Sequence, residues 1–333
     1  MSTSNTLSSP TSRNVWLSYY TKFVCAYILF VIFAGAMVTS HDAGLSVPDW
    51  PQTYGQNMFA FPVYKWVGGI YYEHGHRLVA FGVGSLTLIL AVWSFFSEKR
   101  KWVRVLSYTA LGVVIAQGVL GGLTVLYGLP DLISVSHAVL AQSFLVLMVI
   151  IAYSHTREFK KRGEVFDKGS SLWKLTASVG VLVYLQLIVG AVMRHAGAGL
   201  AIMDFPLMAG SIFPPLNSET VEFLNKIRAS HSLAPITLSN VVVHIIHRLG
   251  GVVVTVGVVT MLVKLVRSQE VSSAAKKLSL LLGVLVVCQF ALGAITVLSE
   301  RSPVIASIHV VTGALLLALT VVCTLRIIPL SNK

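Results

Sequence analysis

The feature that most constrains this chain is a series of eight apolar stretches, each long enough to cross a lipid bilayer. A helix needs about 20 apolar residues to span a hydrocarbon core of roughly 30 Å. The stretches lie at residues 20–39, 70–96, 103–127, 131–154, 172–193, 241–266, 277–298 and 303–326. Because a backbone inside lipid must satisfy its own hydrogen bonds, each stretch predicts a helix. Hydrophobic residues make up 55% of the 333 and charged residues only 11%, which excludes a soluble domain.

Lysine and arginine are distributed unevenly, and the distribution predicts the orientation of the chain. Fourteen of them lie in the loops after the second, fourth and sixth stretches, against five in the alternate loops. Cytoplasmic loops of membrane proteins carry such an excess. We therefore expect both termini to be cytoplasmic and the loops at 40–69 and 194–240 to lie outside. The net charge of +12 thus reflects topology, and no nucleic-acid partner is expected.

The chain contains an internal repeat. Residues 35–55 align with 190–210, and residues 117–137 with 289–309, without a gap and with eight identities in each block. About 16 extra residues lengthen the second outer loop near positions 214–239. Each half holds an even number of spans, so the halves start on the same side of the membrane and form parallel repeats.

The predicted fold is therefore all-α and integral to the membrane, with eight transmembrane helices arranged as two tandem parallel four-helix bundles. The predicted divisions are a cytoplasmic tail (1–19), an N-terminal bundle (20–154), a basic linker (155–171), a C-terminal bundle (172–326) and a second cytoplasmic tail (327–333).

Four histidines repeat between the halves, His76 and His137 in the first and His247 and His309 in the second. All four lie near the outer ends of even-numbered spans, at similar depths. Ionisable residues inside spans are functional candidates. Helix bundles build cofactor sites from inward-facing side chains, and imidazole is a usual axial ligand of haem iron. Each pair therefore favours a bis-histidine haem site, while an interhelical hydrogen bond is the alternative for any single histidine.

Charged neighbours of these histidines extend the hypothesis. Arg77 and Arg248 each follow the first histidine of their half, and a forked guanidinium suits haem propionates, although snorkelling to the outer headgroups would also explain them. Three residues before that histidine the halves differ, with Glu73 in the first and His244 in the second. Glu73 is a candidate acid, base or proton relay, or else a surface carboxylate at the membrane rim. We infer that the two halves have different roles.

Several motifs occur together in this chain. They are the outer-loop segment GLSVPDWP at 44–51, the E-x-x-H-R motif at 73–77, the second H-R at 247–248, and the helix-borne His137 and His309. In this combination, and over nearly its whole length, the chain resembles the haem A synthase family.

The resemblance implies an enzyme that oxidises the methyl group at ring position C8 of haem O to a formyl group, giving haem A for terminal oxidases. It implies that His76 and His137 hold the substrate haem, with Glu73 taking part in the chemistry. It also implies a permanent haem b on His247 and His309 for electron transfer. Expected partners are the lipid bilayer, the farnesyltransferase that produces haem O, and an unidentified electron donor. The expected location is a bacterial inner membrane.

One departure from the family concerns the first outer loop. Many bacterial members carry a cysteine pair there, and this chain has Val47 and Thr53 at those positions. A thiol-based reductive step cannot operate through them. An alternative function is a dihaem bis-histidine electron carrier between a quinol and an outer acceptor, which needs the same four histidines. A transporter would fit the repeats but gives no reason for histidines at one depth.

Overall fold

The computed structural model describes residues 12–164 and 171–329. In this part of the chain eight helices are long and apolar enough to cross a membrane, which confirms the predicted number. The helices in chain order are α1 (Ser12–Ser40), α2 (Gly69–Ser97), α3 (Lys101–Leu126), α4 (Asp131–Ser154), α5 (Arg157–Glu164), α6 (Trp173–His195), α7 (Ser218–Ser230), α8 (Leu238–Arg267), α9 (Ser273–Leu298) and α10 (Pro303–Ile327). Helices α5 and α7 are the short ones outside the spans.

The first helix begins earlier than the sequence predicted. Residues up to 19 were expected to form a tail, but α1 already begins at Ser12. Leu17 is buried in the core of the first half, so protein packing extends the helix beyond its most apolar stretch. The rest of that tail (1–11), residues 165–170 of the linker and residues 330–333 lie outside the described residues.

The extra residues of the second outer loop fold into a helix that the sequence did not predict. The side chain of Asn217 caps α7 by accepting a hydrogen bond from the Thr220 N–H at 3.0 Å. Arg228, near the end of α7, donates to the carbonyls of Leu200 at 2.7 Å and Ala234 at 2.9 Å. The inserted segment is therefore tied to the outer surface of the second half.

The membrane helices pack as two groups of four. Helices α1 to α4 contact one another in a closed ring, and α6, α8, α9 and α10 do the same. The two rings meet where α1 contacts α10 and where α4 contacts α6 and α10. At this seam the Ser143 and Tyr184 hydroxyls lie 2.6 Å apart. The contacts are compatible with the predicted pair of tandem four-helix bundles.

The two outer loops share a turn, in agreement with the alignment of the halves. In the first loop the Asp49 carboxylate accepts hydrogen bonds from the N–H groups of Tyr54 and Gly55 at 2.8 and 2.7 Å. In the second, Asp204 accepts from the corresponding residues at 2.9 and 2.8 Å. Burial raises the pKa of Asp49, but these backbone donors outweigh it and hold that pKa below its ordinary value. The first turn therefore keeps its ionised carboxylate acceptor at neutral pH.

Candidate functional site

The structure places the four repeated histidines in two pairs, in the N-terminal third of their helices. His76 lies on α2 and His137 on α4, within electrostatic range of each other. His247 lies on α8 and His309 on α10, with ring centroids 6.4 Å apart and ring planes inclined by 74°. The structure thus brings two repeated histidines together in each half, and a haem at either pair stays a prediction.

Three of the four histidines have one ring nitrogen without a partner. The Nδ1 atoms of His76, His137 and His309 are buried and find no hydrogen-bond partner among the described residues. Buried polar atoms without a partner are rare in native proteins, so each one requires an explanation. Within residues 12–164 and 171–329 no group of three or more His, Cys, Asp or Glu side chains is placed to hold a metal ion. Two imidazoles without further ligands fit a haem, whose macrocycle supplies the other coordinating atoms of the iron.

A glycine of the preceding membrane helix lies behind every one of the four rings. The pairs are Gly35 with His76, Gly121 with His137, Gly190 with His247, and Gly293 with His309. We call these four glycines the glycine seats. A Cβ atom at any seat would lie only 3.0 to 3.1 Å from Cε1 of its histidine, inside ordinary van der Waals contact. Each ring is thus held in a groove that any larger residue would narrow.

Glutamine side chains form a second support, which the sequence analysis missed. Gln117 on α3 and Gln289 on α9 each donate to the backbone carbonyl of the nearby histidine, His137 or His309, at 3.0 Å. These glutamines are the first identical pair of the aligned blocks 117–137 and 289–309, so the repeat itself carried the signal. Gln186 donates to the His247 carbonyl at 2.7 Å and lies 3.1 Å from its Nδ1.

Arg77 holds the first outer loop. Its guanidinium donates to the carbonyls of Val47, Asp49 and Gln52 at 2.6 to 2.8 Å. It also pairs with Glu73 at 2.7 Å, and the two side chains are only 9% and 5% exposed. The other oxygen of Glu73 accepts from the Val47 N–H at 2.7 Å. Glu73 is therefore not a surface carboxylate at the rim, and both of its oxygens are hydrogen-bonded.

Arg248 does the same in the second half, with a histidine in place of the carboxylate. It donates to the loop carbonyls of Ile202, Asp204 and Leu207 at 2.8 to 3.1 Å. Its Nε donates to Nε2 of His244 at 2.9 Å. Both arginines are thus occupied by their own loops, and propionate binding by either one stays a prediction.

Trp50 of the first loop lies directly against α3. A Cβ atom at Gly122 would collide with its indole ring. Gly122 follows the seat Gly121 in the chain, so the tryptophan contacts α3 at the same level as the seat of His137. In the second half the corresponding Phe205 lies instead near Phe290, with ring centroids 5.9 Å apart. The loop aromatic residue and the helix position that it contacts therefore differ between the two halves.

His74 is a further buried residue below the first loop. It is fully buried, its Nδ1 lies 3.0 Å from the Thr53 hydroxyl, and its ring packs against Phe61 and Trp66. Thr53 stands at one of the positions where many bacterial members of the resembled family carry a cysteine. In this chain the Thr53 hydroxyl hydrogen-bonds with His74 of α2, and this bond helps to hold the loop in place.

Fold and site together define a multi-pass membrane protein with two buried histidine pairs suited to haem. The sequence profile of the COX15-CtaA family, described as cytochrome oxidase assembly protein, matches residues 18–321. The chain belongs to this family.

Named relatives extend over most of the chain. A haem A synthase of Halalkalibacterium halodurans is 26% identical over 92% of this chain and 94% of its own length. A haem A synthase of Rickettsia bellii is 26% identical over 90% of this chain and 94% of its own length. A haem A synthase of Shouchella clausii is 30% identical over 64% of this chain and 69% of its own length.

Proposed function

We propose that this protein is a haem A synthase, which oxidises the C8 methyl group of haem O to a formyl group and so supplies haem A to terminal oxidases. Membership of the family and the names of full-length relatives support this reaction. The observation that carries it is the pairing of two histidine sites, each backed by glycine seats, whose neighbours differ between the halves.

The division of labour follows from that difference. We assign the substrate haem O to His76 and His137, because a carboxylate, Glu73, lies one helical turn from His76. We assign a resident haem b to His247 and His309, where His244 replaces the carboxylate. When bound, haem b supplies a redox-active iron that stores one electron. His247→Ala should remove the haem b spectrum of the purified protein, and an unchanged spectrum would contradict this assignment.

The chain's own residues orient and shield these sites. The glycine seats fix the imidazole rings, and Gln117 and Gln289 hold the helix backbone at His137 and His309. The Arg77 and Glu73 pair anchors the outer loop above the first site, which limits the entry of water. Glu73 is also the group we assign to proton transfer, since ionisable residues buried at a site commonly serve as acids or bases.

The membrane topology indicates where the reaction takes place and which partners it needs. The eight membrane helices place the protein in a lipid bilayer, and we propose a bacterial inner membrane with both termini in the cytoplasm. Haem O would come from a farnesyltransferase in the same membrane, and an unidentified electron donor would supply electrons to the protein. With Val47 and Thr53 at the cysteine positions, that donor does not act through a loop disulfide.

The test is to produce the full chain in cells that make haem O but no haem A and to analyse the extracted haem by chromatography and mass spectrometry. We expect haem A together with its hydroxymethyl precursor. The matched control is His231→Ala, a surface histidine outside both pairs, which should leave the products unchanged. Protein that retains haem b but yields neither product would instead support the dihaem electron carrier.

A further inference from the structure

The guanidinium of Arg194 lies at the seam between the two bundles. In the part of the chain that the structure describes, it forms no hydrogen bond to either of the two long outer loops. Arg194 lies in the last turn of α6, and one of its nitrogens donates to the Ala36 carbonyl at 2.7 Å and to the Ser40 hydroxyl at 2.8 Å. Both acceptors are neutral. Among the described residues, Nε and Nη1 of Arg194 make no hydrogen bond, whereas both Nη atoms of Arg77 and all three guanidinium nitrogens of Arg248 do.

The position of Arg194 relates it to the second histidine pair. It follows Gly190, the seat of His247, by four residues, so the two share one face of α6 and Arg194 lies one turn further out. Its partner Ser40 lies 3.2 Å from the hydroxyl of Ser307, two residues before His309. The charge of Arg194 is also within electrostatic range of His309. Arg194 therefore lies at the outer rim of this pair.

No carboxylate of the described chain neutralises this cation at close range. Asp42 is the acid that acts on Arg194 electrostatically, but it is exposed and paired with Arg301 at 3.1 Å. A partly desolvated arginine with free donors is a suitable partner for a planar carboxylate, which it binds through charge-assisted hydrogen bonds. The chemistry points to an anionic ligand.

The first half has no equivalent cation. The residue aligned with Arg194 is Thr39, whose hydroxyl is turned back to the Gly35 carbonyl at 3.2 Å. A site that keeps its haem gains from an extra anchor, whereas a site that must release its product does not. The difference in charge matches the roles proposed for the two halves.

We propose that Arg194 binds a carboxylate of the haem held by His247 and His309, one of its propionates. This inference rests on the proposed function, since it requires a haem at that pair. It also assigns propionate binding in the second half to a residue that the H-R motif does not include.

The test compares two forms of the ligand, haem b and its dimethyl ester, which has no free carboxylate. The full chain is produced in haem-deficient cells and carries His76→Ala, so that only the second histidine pair remains. Binding of each ligand is titrated by absorbance. If the His76→Ala chain does not fold, His137→Ala serves the same purpose. Arg194→Gln should weaken haem b binding about tenfold, the usual effect of one charge-assisted hydrogen bond, and should leave binding of the ester unchanged. Arg301→Gln, the matched control at the same seam, should affect neither ligand.

Equal weakening of both ligands by Arg194→Gln would mean that the arginine only holds α6 against α1, and it would overturn the inference. So would no weakening of either. A chain that binds neither ligand before Arg194 is changed would overturn the proposed haem b site and the inference together, which distinguishes that failure from the other two.

Discussion

Glu73 and Arg77 form a buried ion pair at 2.7 Å, and through it the E-x-x-H-R motif holds the outer loop as well as the helix. One oxygen of Glu73 bonds the guanidinium and the other bonds the Val47 N–H. Glu73, to which we assign proton transfer, therefore also stabilises the loop. A test of its role must separate these two functions.

Glu73→Gln makes that separation. The amide keeps an oxygen that can accept from Val47, but it cannot take up the proton that a carboxylate can. We expect haem A formation to fall by a factor of about 100 or more, typical of a lost acid or base, while the haem content of the protein stays near that of the unmodified chain. Glu222→Gln is the control, because Glu222 is an exposed carboxylate on α7, away from both histidine pairs. Haem A formation at the normal rate in Glu73→Gln would remove the carboxylate from the chemistry.

Arg77→Ala tests the loop anchor. The change leaves three loop carbonyls and the buried Glu73 without their partner, and loss of one member of a buried pair costs about 3–5 kcal/mol. We expect residues 46–56 to exchange their amide hydrogens much faster and to become sensitive to protease, as mass spectrometry would show. Arg301→Ala, which removes an exposed pair with Asp42, should leave that segment protected. Equal protection in both variants would contradict the anchor.

Gly293→Ala tests the glycine seats. The added Cβ would lie 3.1 Å from Cε1 of His309, and overpacking of this kind costs about 1–3 kcal/mol. We expect haem at the second pair to bind roughly tenfold more weakly, measured by titration of the haem-free protein. Gly112→Ala is the matched control, since a Cβ there has no heavy atom within 4 Å. If both variants bind equally well, the seats do not position the rings.

The cluster at the inner end of α2 predicts a dependence of stability on pH. Burial alone would raise the pKa of the Glu98 carboxyl, but hydrogen bonds from Arg100, together with the His155 ring 3.1 Å away, outweigh this effect and hold that pKa well below its ordinary value. The unfolded chain then binds more protons as the pH falls. The contribution of Glu98 is complete above the ordinary glutamate value of 4.5 and is lost as the pH falls below it.

Thermal unfolding of the unmodified protein and of Glu98→Gln measures this contribution. The variant should be less stable at neutral pH, and the difference should shrink on acidification. Glu222→Gln, which removes an exposed pair on α7, should show no such trend. A difference that stays constant down to about pH 3 would show that ionisation of Glu98 does not stabilise the fold.

Much of the fold was predictable, because hydropathy and repeats follow directly from bilayer thickness. The eight spans, the alignment of the halves and the four histidines all came from patterns that depend on residue type alone. The hydrogen bonds from Arg77 and Arg248 to loop carbonyls could not be predicted in this way. Every residue has a backbone carbonyl, so the sequence does not show which carbonyls accept a hydrogen bond from an arginine. An arginine that binds loop carbonyls therefore cannot be distinguished by sequence from one that binds a ligand.

The helix α7 and the role of Arg194 escaped prediction for related reasons. Helix α7 is short and mostly polar, so it has no bilayer-length signature, and its cap depends on one residue, Asn217. Arg194 has no repeated partner, and the alignment sets it against Thr39. An alignment of the two halves finds the residues that both halves share. It therefore overlooks a residue such as Arg194, which occurs in one half only.

The glycine seats have a consequence for reading other chains. Gly121 precedes His137 by sixteen residues, and Gly293 precedes His309 by the same number, because a seat and its ring face each other across one helical hairpin. A glycine sixteen positions before a histidine, with the connecting turn between them, is thus a short signature of a ring lodged against a neighbouring backbone. In this chain the spacing marks His137 and His309, whereas the seats of His76 and His247 lie 41 and 57 residues before their rings.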